Sequence, residues 1–184
     1  MAVSKKRMKQ MERDFMKEKA LNTLAKPGVH ELIIVLDSLK PDFNVGKIFR
    51  SSDAFGVKEI NLIGIPFFSP ATAMGSFRHV PAKFFESFKP CYDYLKSEGY
   101  DIYIFEPTGG SQLGVASFPK KSALIMGHEE FGISFNKADY PDLKVITVPQ
   151  FGKVQSLNVS IAASVAMYEY VRQQHFSQTE QAPS

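Results

Sequence analysis

The sequence predicts an α/β fold in which a mostly parallel sheet is flanked by helices. Short apolar runs typical of strands buried on both faces alternate with segments of helical pattern, and this alternation favours a parallel sheet. The chain has 184 residues, of which 44% are hydrophobic and 22% are charged, so we expect one globular domain with an ordinary core. In such folds, ligands bind outside the carboxyl ends of the strands.

The elements follow from periodicity and from glycine and proline punctuation. We predict strands at 31–37, 59–64, 101–105, 122–126 and 144–148, and helices at 5–23, 44–55, 90–98 and 157–174. Residues 65–82 and 107–119 are rich in proline or glycine and are predicted to be irregular. The first helix has an apolar stripe that comprises Met8, Met11, Phe15 and Leu21 or Leu24.

Basic residues are concentrated in the first helix. Residues 4–19 carry seven lysines or arginines and three acidic residues, a net charge of +4 in a chain whose total is +3. A basic arm on a near-neutral domain indicates a nucleic-acid partner. The alternative is a solvated helix that only docks on the core through Met8, Met11 and Phe15. We divide the chain into a basic helical arm (1–24), a domain (25–175) and a disordered tail (176–184).

Three polar motifs directly follow predicted strands. The first, NVGKIFR, runs from Asn44 to Arg50, and the second, GHEEFG, occupies 127–132. The third, SLNVS, occupies 156–160 at the start of the last helix. Because the carboxyl ends of parallel strands meet at one edge of a sheet, we expect the three motifs to form a single site.

Several classes of site are excluded by what the sequence lacks. Cys91 is the single cysteine, so neither an intrachain disulfide nor a cysteine-based metal site is expected. Gly127 and Gly132 have phosphate-loop spacing but no lysine follows, which excludes that type of nucleotide site. The histidines are scattered, so we expect no metal. No run approaches ~18 apolar residues and the N-terminus lacks an apolar signal core. We therefore expect no membrane span and a cytoplasmic location.

In order and composition, the three motifs resemble motifs 1, 2 and 3 of the SpoU/TrmH-type RNA 2′-O-ribose methyltransferases, a branch of the SPOUT class. The resemblance covers residues 31–174, nearly the whole predicted domain. It implies S-adenosyl-L-methionine as cofactor, an RNA substrate and a homodimer. It also implies a C-terminal trefoil knot formed by residues 120–174, which pattern rules alone would argue against because chains almost never knot.

The resemblance assigns the reaction to Arg50, which the family places beside the acceptor ribose or phosphate. The arginine either activates the hydroxyl or acts as a fixed cation that stabilises the developing alkoxide. We expect Arg50 to lie on roughly the same helix face as Asn44. Asn44 and Glu129 would hold Arg50 or the acceptor, and Ser156 and Asn158 would shape the pocket. Without the resemblance, helix capping and surface exposure explain these residues as simply.

Three further positions correspond to cofactor contacts in the family. Gly127, Val148 and Leu157 would touch the donor largely through the backbone, and loop 106–110 would close over it. Their simpler interpretation is a turn glycine and two core residues, and both interpretations can hold. The chain departs from the family at Gln150, where methionine is common.

The predicted function is transfer of a methyl group to a ribose 2′-hydroxyl of RNA. The run at 154–158 is similar to that of tRNA guanosine methylating members, so we favour tRNA. The alternatives are the same reaction on rRNA, or a non-catalytic RNA-binding protein on the same fold. Small residues on the last helix (Ala162, Ala163 and Ala166) would allow close approach of a second helix in the predicted homodimer.

Overall fold

The computed structural model describes residues 5–176, with side chains from 8 to 175, and these form a seven-stranded sheet. The strands are β1 (His30–Asp37), β2 (Val57–Ile63), β3 (Ala82–Phe85), β4 (Asp101–Phe105), β5 (Ser111–Gln112), β6 (Ser122–Met126) and β7 (Lys144–Thr147). Their spatial order is β3-β2-β1-β6-β4-β7-β5, and every pair is parallel. The predicted α/β fold is confirmed.

Helices connect and cover the strands. They are α1 (Lys5–Asn22), α2 (Phe43–Ala54), α3 (Phe88–Ser97) and α4 (Val159–Val171), the last continuing into a π-helical turn (Arg172–Phe176). Short 3₁₀ turns lie at Pro70–Ala73, Ser76–Arg78 and Lys137–Asp139. Among residues 5–176, no helix is both long and apolar enough to span a bilayer.

The bounds of the strands were predicted best where the apolar runs in the sequence are most continuous. β4 and β6 have the predicted bounds, whereas β3 starts at the last residue of the segment 65–82 predicted to be irregular and was not predicted as a strand, and β5 falls inside the irregular segment 107–119. β3 has four residues, pairs only with β2 and begins directly after Pro81, so proline concealed it. The last helix begins at Val159 instead of Leu157 because Asn158 occupies the cap position.

The sheet is buried on both faces, as the apolar run of β1 predicts. Leu32, Ile34 and Leu36 pack into the core cluster on the side of α2 and α4. Ile33 and Val35 point to the other face and pack under α3. All five side chains are 0% exposed, so β1 is a rigid central strand.

One face of α1 packs on the domain. Phe15 is 1% exposed and its ring contacts the rings of Phe68, Phe77 and Phe84. Asn22 lies two turns further along, and its buried amide group donates to the carbonyl oxygens of Phe77 and Val80. The prediction that Leu21 or Leu24 continues the stripe is wrong, since both are exposed. Asn22 takes the inward position because seven residues complete two helical turns.

The predicted division into arm, domain and tail and the predicted knot at 120–174 stay predictions. Residues 1–4 and 177–184, and with them nearly all of the predicted tail, lie outside the described part of the chain.

Candidate active site

A cleft of about 580 Å³ opens at the carboxyl edge of the sheet. Its walls are the segments that follow β4, β6 and β7, together with the first turn of α4. This is the edge at which open parallel sheets bind ligands, and the volume suits a ligand of cofactor size. Six of the predicted site residues line the cleft, namely Gly127, Glu129, Val148, Ser156, Leu157 and Asn158.

The three motifs are joined by one chain of side-chain hydrogen bonds. Asn44 Nδ2 donates to Glu129 Oε1 at 2.7 Å, and Asn158 Nδ2 donates to Asn44 Oδ1 at 3.2 Å. Asn158 Oδ1 in turn accepts from the backbone N–H of Ser160 at 2.9 Å and from its hydroxyl at 2.6 Å. Asn158 is therefore a helix cap, as the simpler interpretation holds, and also a link between motifs 1 and 3.

The motif 2 segment is a tight turn. The backbone groups of His128 and Gly132 exchange hydrogen bonds of 2.7 and 2.9 Å. His128 Nδ1 accepts from the N–H groups of Glu130 and Phe131, so its ring proton sits on Nε2. A Cβ on Gly127 would lie 2.6 Å from the carbonyl carbon of Gly132. Gly127 is thus required for the close approach that shapes this wall of the cleft.

Two carboxylates at the cleft differ in their partners. Lys40 Nζ lies 2.6 Å from Glu130 Oε1, and this hydrogen-bonded cation lowers the pKa of the Glu130 carboxyl. Glu129 forms no ion pair within the described part of the chain and accepts from neutral donors, the amide of Asn44 and the backbone N–H of Lys40. The Lys40 ammonium is paired with Glu130 and interacts with Glu129 only through space. Glu129 therefore presents a carboxylate that is not held in an ion pair at the cleft, which suits a cationic ligand.

Arg50 is not brought to this cluster by any contact. It is exposed on α2 and makes no hydrogen bond or ion pair with a described residue. Six residues turn an α-helix by about 600°, which is roughly 120° short of two full turns. The expectation that Arg50 shares a face with Asn44 is therefore wrong; Ser51 does so, and its hydroxyl lies 2.8 Å from that of Ser164 on α4. The Arg50 guanidinium is left available to an external group.

Gln150 is a lining residue that sequence reasoning singled out only as a departure from the family. Its side-chain oxygen Oε1 is buried without a hydrogen-bond partner in the described structure, although it borders the cleft. A buried acceptor without a partner is costly, so a ligand donor is its natural complement. The loop after β4 was predicted to close the cleft, and Glu106, Pro107 and Thr108 do line it. Lys137 holds Glu106 by an ion pair of 2.7 Å.

Among residues 5–176, no group of three or more histidine, cysteine, aspartate or glutamate side chains is arranged to hold a metal ion. The features that remain are a cleft, a buried acceptor without a partner, a carboxylate outside any ion pair of the described residues, and a polar network across three strand ends. Such a site suits an organic ligand held by hydrogen bonds and charge.

Comparison with known proteins places this fold and site in a class of RNA-modifying enzymes. Residues 31–168 match the model of the SpoU rRNA Methylase family. The chain belongs to this family of methyltransferases.

Individual relatives are named as methyltransferases of tRNA or of tRNA and rRNA. The chain is 30% identical over 148 residues to a tRNA (guanosine(18)-2′-O)-methyltransferase of Thermus thermophilus. This alignment spans 78% of the present chain and 75% of the Thermus protein. It is 31% identical over 150 residues to an uncharacterised tRNA/rRNA methyltransferase of Synechocystis, and that alignment spans 79% of this chain but only 39% of the relative.

Solved structures share the architecture. A TrmH/SpoU tRNA modifying enzyme of A. aeolicus superposes with a TM-score of 0.74 at 25% identity, over 92% of this chain and 88% of that one. The SpoU methyltransferase AviRb of Streptomyces viridochromogenes, solved in complex with AdoMet, gives a TM-score of 0.69 at 23% identity, over 78% and 60%. At that identity the second likeness establishes the fold alone.

Proposed function

We propose that this protein transfers a methyl group from S-adenosyl-L-methionine to a ribose 2′-hydroxyl of RNA, with tRNA favoured over rRNA. The observation that carries the proposal is the hydrogen-bonded chain Glu129–Asn44–Asn158, which joins one residue from each motif at the mouth of the cleft.

The cleft fits the proposed cofactor. The orphan oxygen of Gln150 can accept a hydrogen bond from an amino group of the cofactor, and the Glu129 carboxylate complements its positive charge. Gly127, Val148 and Leu157 line the same space. When bound, the cofactor supplies an electrophilic methyl group on a sulfonium sulfur, so the transfer needs no metal ion.

The protein's task is then to orient the acceptor and to accommodate its proton. The 2′-oxygen gains negative charge as its proton passes to solvent, and a fixed cation stabilises that developing alkoxide. The oxygen then forms its bond to the methyl carbon while the carbon–sulfur bond breaks, and the electron pair of that broken bond leaves with the sulfur as a neutral thioether. Arg50 is the proposed cation. It lies on the same helix as Asn44, its side chain is exposed, and its guanidinium has no hydrogen-bond or ion-pair partner among the described residues. It can also grip the adjoining phosphate through its planar fork.

The exposed side of α1 is the proposed RNA contact. Lys9, Arg13 and Lys17 follow one another at four-residue spacing, are exposed and have no ion-pair partner among the described residues. At about 100° per residue, their positions lie 120–160° around the helix from Phe15, which docks it; Lys17 also borders a hollow beside Arg78 of the domain. Docking and RNA binding therefore use opposite faces of α1 and are compatible. The preference for tRNA rests on the 154–158 run and on the activity named for the Thermus relative.

We also propose a cytoplasmic homodimer. Two of the small residues from which the sequence predicted a dimer contact pack inside the chain instead. Ala163 and Ala166 are 0% exposed and belong to the chain's own core. The opposite face of α4 instead exposes an apolar stripe made of Ile161, Val165 and Tyr168, and Leu157 extends it just before the helix begins. An exposed apolar stripe beside the site supports pairing of two copies through this face.

The test combines binding and turnover. Calorimetry should detect binding of S-adenosyl-L-methionine that a chelator leaves unchanged, and labelled cofactor should transfer its methyl group to unmodified tRNA. Asn44→Ala should reduce transfer strongly because it breaks the link between all three motifs. Asn136→Ala is the matched control, since that exposed asparagine caps the Lys137–Asp139 turn. No cofactor binding by the wild type, or binding lost with the chelator, would refute the proposal.

A further inference from the structure

Asp37 is a buried carboxylate that the proposed reaction does not use. It is the last residue of β1, is 0% exposed and has no ion pair with any residue in the described range 5–176. Burying a carboxylate without a cation costs free energy unless hydrogen bonds compensate. The hydrogen bonds that offset this cost show which segment of the chain the Asp37 carboxylate holds in place.

Asp37 binds a residue 97 positions further along the chain. Its Oδ2 accepts from the backbone N–H of Ser134 at 2.6 Å, and its Oδ1 accepts from the Ser134 hydroxyl at 2.7 Å. Hydrogen bonds to an ionised acceptor are short and strong, as these are. Ser134 lies two residues after Gly132, so Asp37 clamps the segment that leaves the motif 2 turn.

The local backbone of β1 is shaped around this clamp. Ser38 has a φ of 57°, a left-handed conformation that a non-glycine residue adopts at a cost. In this conformation its hydroxyl donates to Asp37 Oδ1 at 3.1 Å and its N–H donates to the carbonyl of Ile63 on β2 at 2.9 Å. Asp37 therefore ends a central strand, and the hydroxyl of Ser38, a residue in a strained backbone conformation, helps to fix the orientation of its carboxylate.

The motif 2 turn is tethered to the domain on both sides, while its tip packs on itself, since the ring of Phe131 stacks on that of His128 in the same turn. Phe131 at the tip is 81% exposed. Glu129 ties one side of the turn to Asn44, and Asp37 ties the other side to β1. The segment between the two tethers forms one wall of the cleft.

We infer that Asp37 is a positioning residue that pre-orders the motif 2 turn for the methyl donor, an inference that rests on the proposed function. A protein whose binding-competent state is only partly populated binds its ligand more weakly by that fraction. Loss of the clamp lowers the ordered fraction and raises the cofactor Kd. The bound cofactor then restores the order of the turn, so kcat at saturating cofactor stays near the wild-type value.

The experiment compares Asp37→Ala, Asp37→Asn and Ser134→Ala. Asp37→Ala leaves the Ser134 N–H without its acceptor and should raise the Kd and KM for S-adenosyl-L-methionine roughly tenfold, equivalent to about 1.4 kcal/mol. Asp37→Asn keeps an acceptor for that N–H and a donor for the hydroxyl, so we expect a Kd within about threefold of wild type. Ser134→Ala removes only the hydroxyl bond and should have an effect between the two.

Controls separate positioning from stability. Glu59→Gln neutralises another buried carboxylate, one paired with Lys83, and Ser97→Ala removes another exposed serine with one side-chain bond. Both should leave the cofactor Kd unchanged whatever they do to the melting temperature. Hydrogen exchange of the Ser134 amide should quicken in Asp37→Ala while amides of β6 stay protected.

The outcomes are distinct. If the wild type binds no cofactor, the proposed function fails and the inference falls with it. If the wild type binds and both Asp37→Ala and Ser134→Ala bind equally well, only the inference is overturned. Should Asp37→Ala fail to fold, Ser134→Ala decides: an unchanged Kd with unchanged exchange at residue 134 overturns the positioning role.

Discussion

The two faces of α1 allow its proposed roles to be separated by substitution. The perturbation is replacement of Lys9, Arg13 and Lys17 by glutamine, which removes the cations of the exposed face and keeps long polar side chains. None of the three makes an ion pair or hydrogen bond within the described structure. The change therefore leaves the docked face, centred on Phe15, intact.

The expected magnitude follows from the number of unpaired cations. Each phosphate neutralised on single-stranded RNA contributes about −0.7 to the slope of log K against log salt. Three cations therefore account for a slope change of at most about 2. Lys19 does not add to this count, because its ammonium lies 4.1 Å from the centre of the Phe84 ring on the docked face.

Deleting residues 1–20 would give an ambiguous result. It removes the cations together with Phe15, and truncating a buried phenylalanine to alanine costs roughly 3–5 kcal/mol. Phe15→Ala is therefore the complementary variant. It should lower the melting temperature and leave the salt slope of the folded protein unchanged.

The assay is RNA binding at a series of salt concentrations, with the melting temperature measured on the same samples. Lys120→Gln serves as a control of the same chemistry, since Lys120 is exposed beside the amino end of β6, at the opposite edge from the cleft. It should change the slope little, while Lys9→Gln alone changes it by up to about 0.7. An unaltered slope in the triple variant would refute an RNA-binding role for α1.

Two other predictions concern catalysis and assembly. Arg50→Ala should lower kcat at least about 100-fold and leave the cofactor Kd unchanged, because Arg50 does not border the cleft; Arg50→Lys distinguishes a simple charge from the planar fork. A weakened cofactor affinity in Arg50→Ala would contradict this assignment. Light scattering at micromolar concentration should report a dimer that Val165→Lys dissociates and the control Val29→Lys, at another exposed valine, does not. A monomeric wild type would rule the dimer out.

Much of the site is predictable from sequence because its residues follow strong strand patterns. β1 and β6 are nearly continuous apolar runs, so their ends are easily located. Parallel pairing then places Asn44 and Glu129 at one edge, 85 positions apart in sequence and 2.7 Å apart in space. Asn158, which follows β7 and caps α4, is placed at the same edge of the sheet and therefore within reach of Asn44.

The remaining features depend on long-range geometry that no local pattern encodes. Asp37 looks like the polar end of a strand, and its clamp on Ser134 becomes evident only when β1 and β6 are paired in register. The small residues of α4 indicate close packing, but not whether the partner is a second copy or, as found for Ala163 and Ala166, the chain's own core.

The central claim is that three motifs converge to methylate a ribose of RNA. The most direct test maps ribose methylation in RNA from cells with and without this protein. We predict that, in cells without the protein, at least one tRNA nucleotide loses its 2′-O-methyl group, and that the wild-type gene restores it while Arg50→Ala does not. A loss confined to rRNA would replace the proposed RNA class and keep the reaction. An unchanged methylation map, or restoration by Arg50→Ala, would contradict the account.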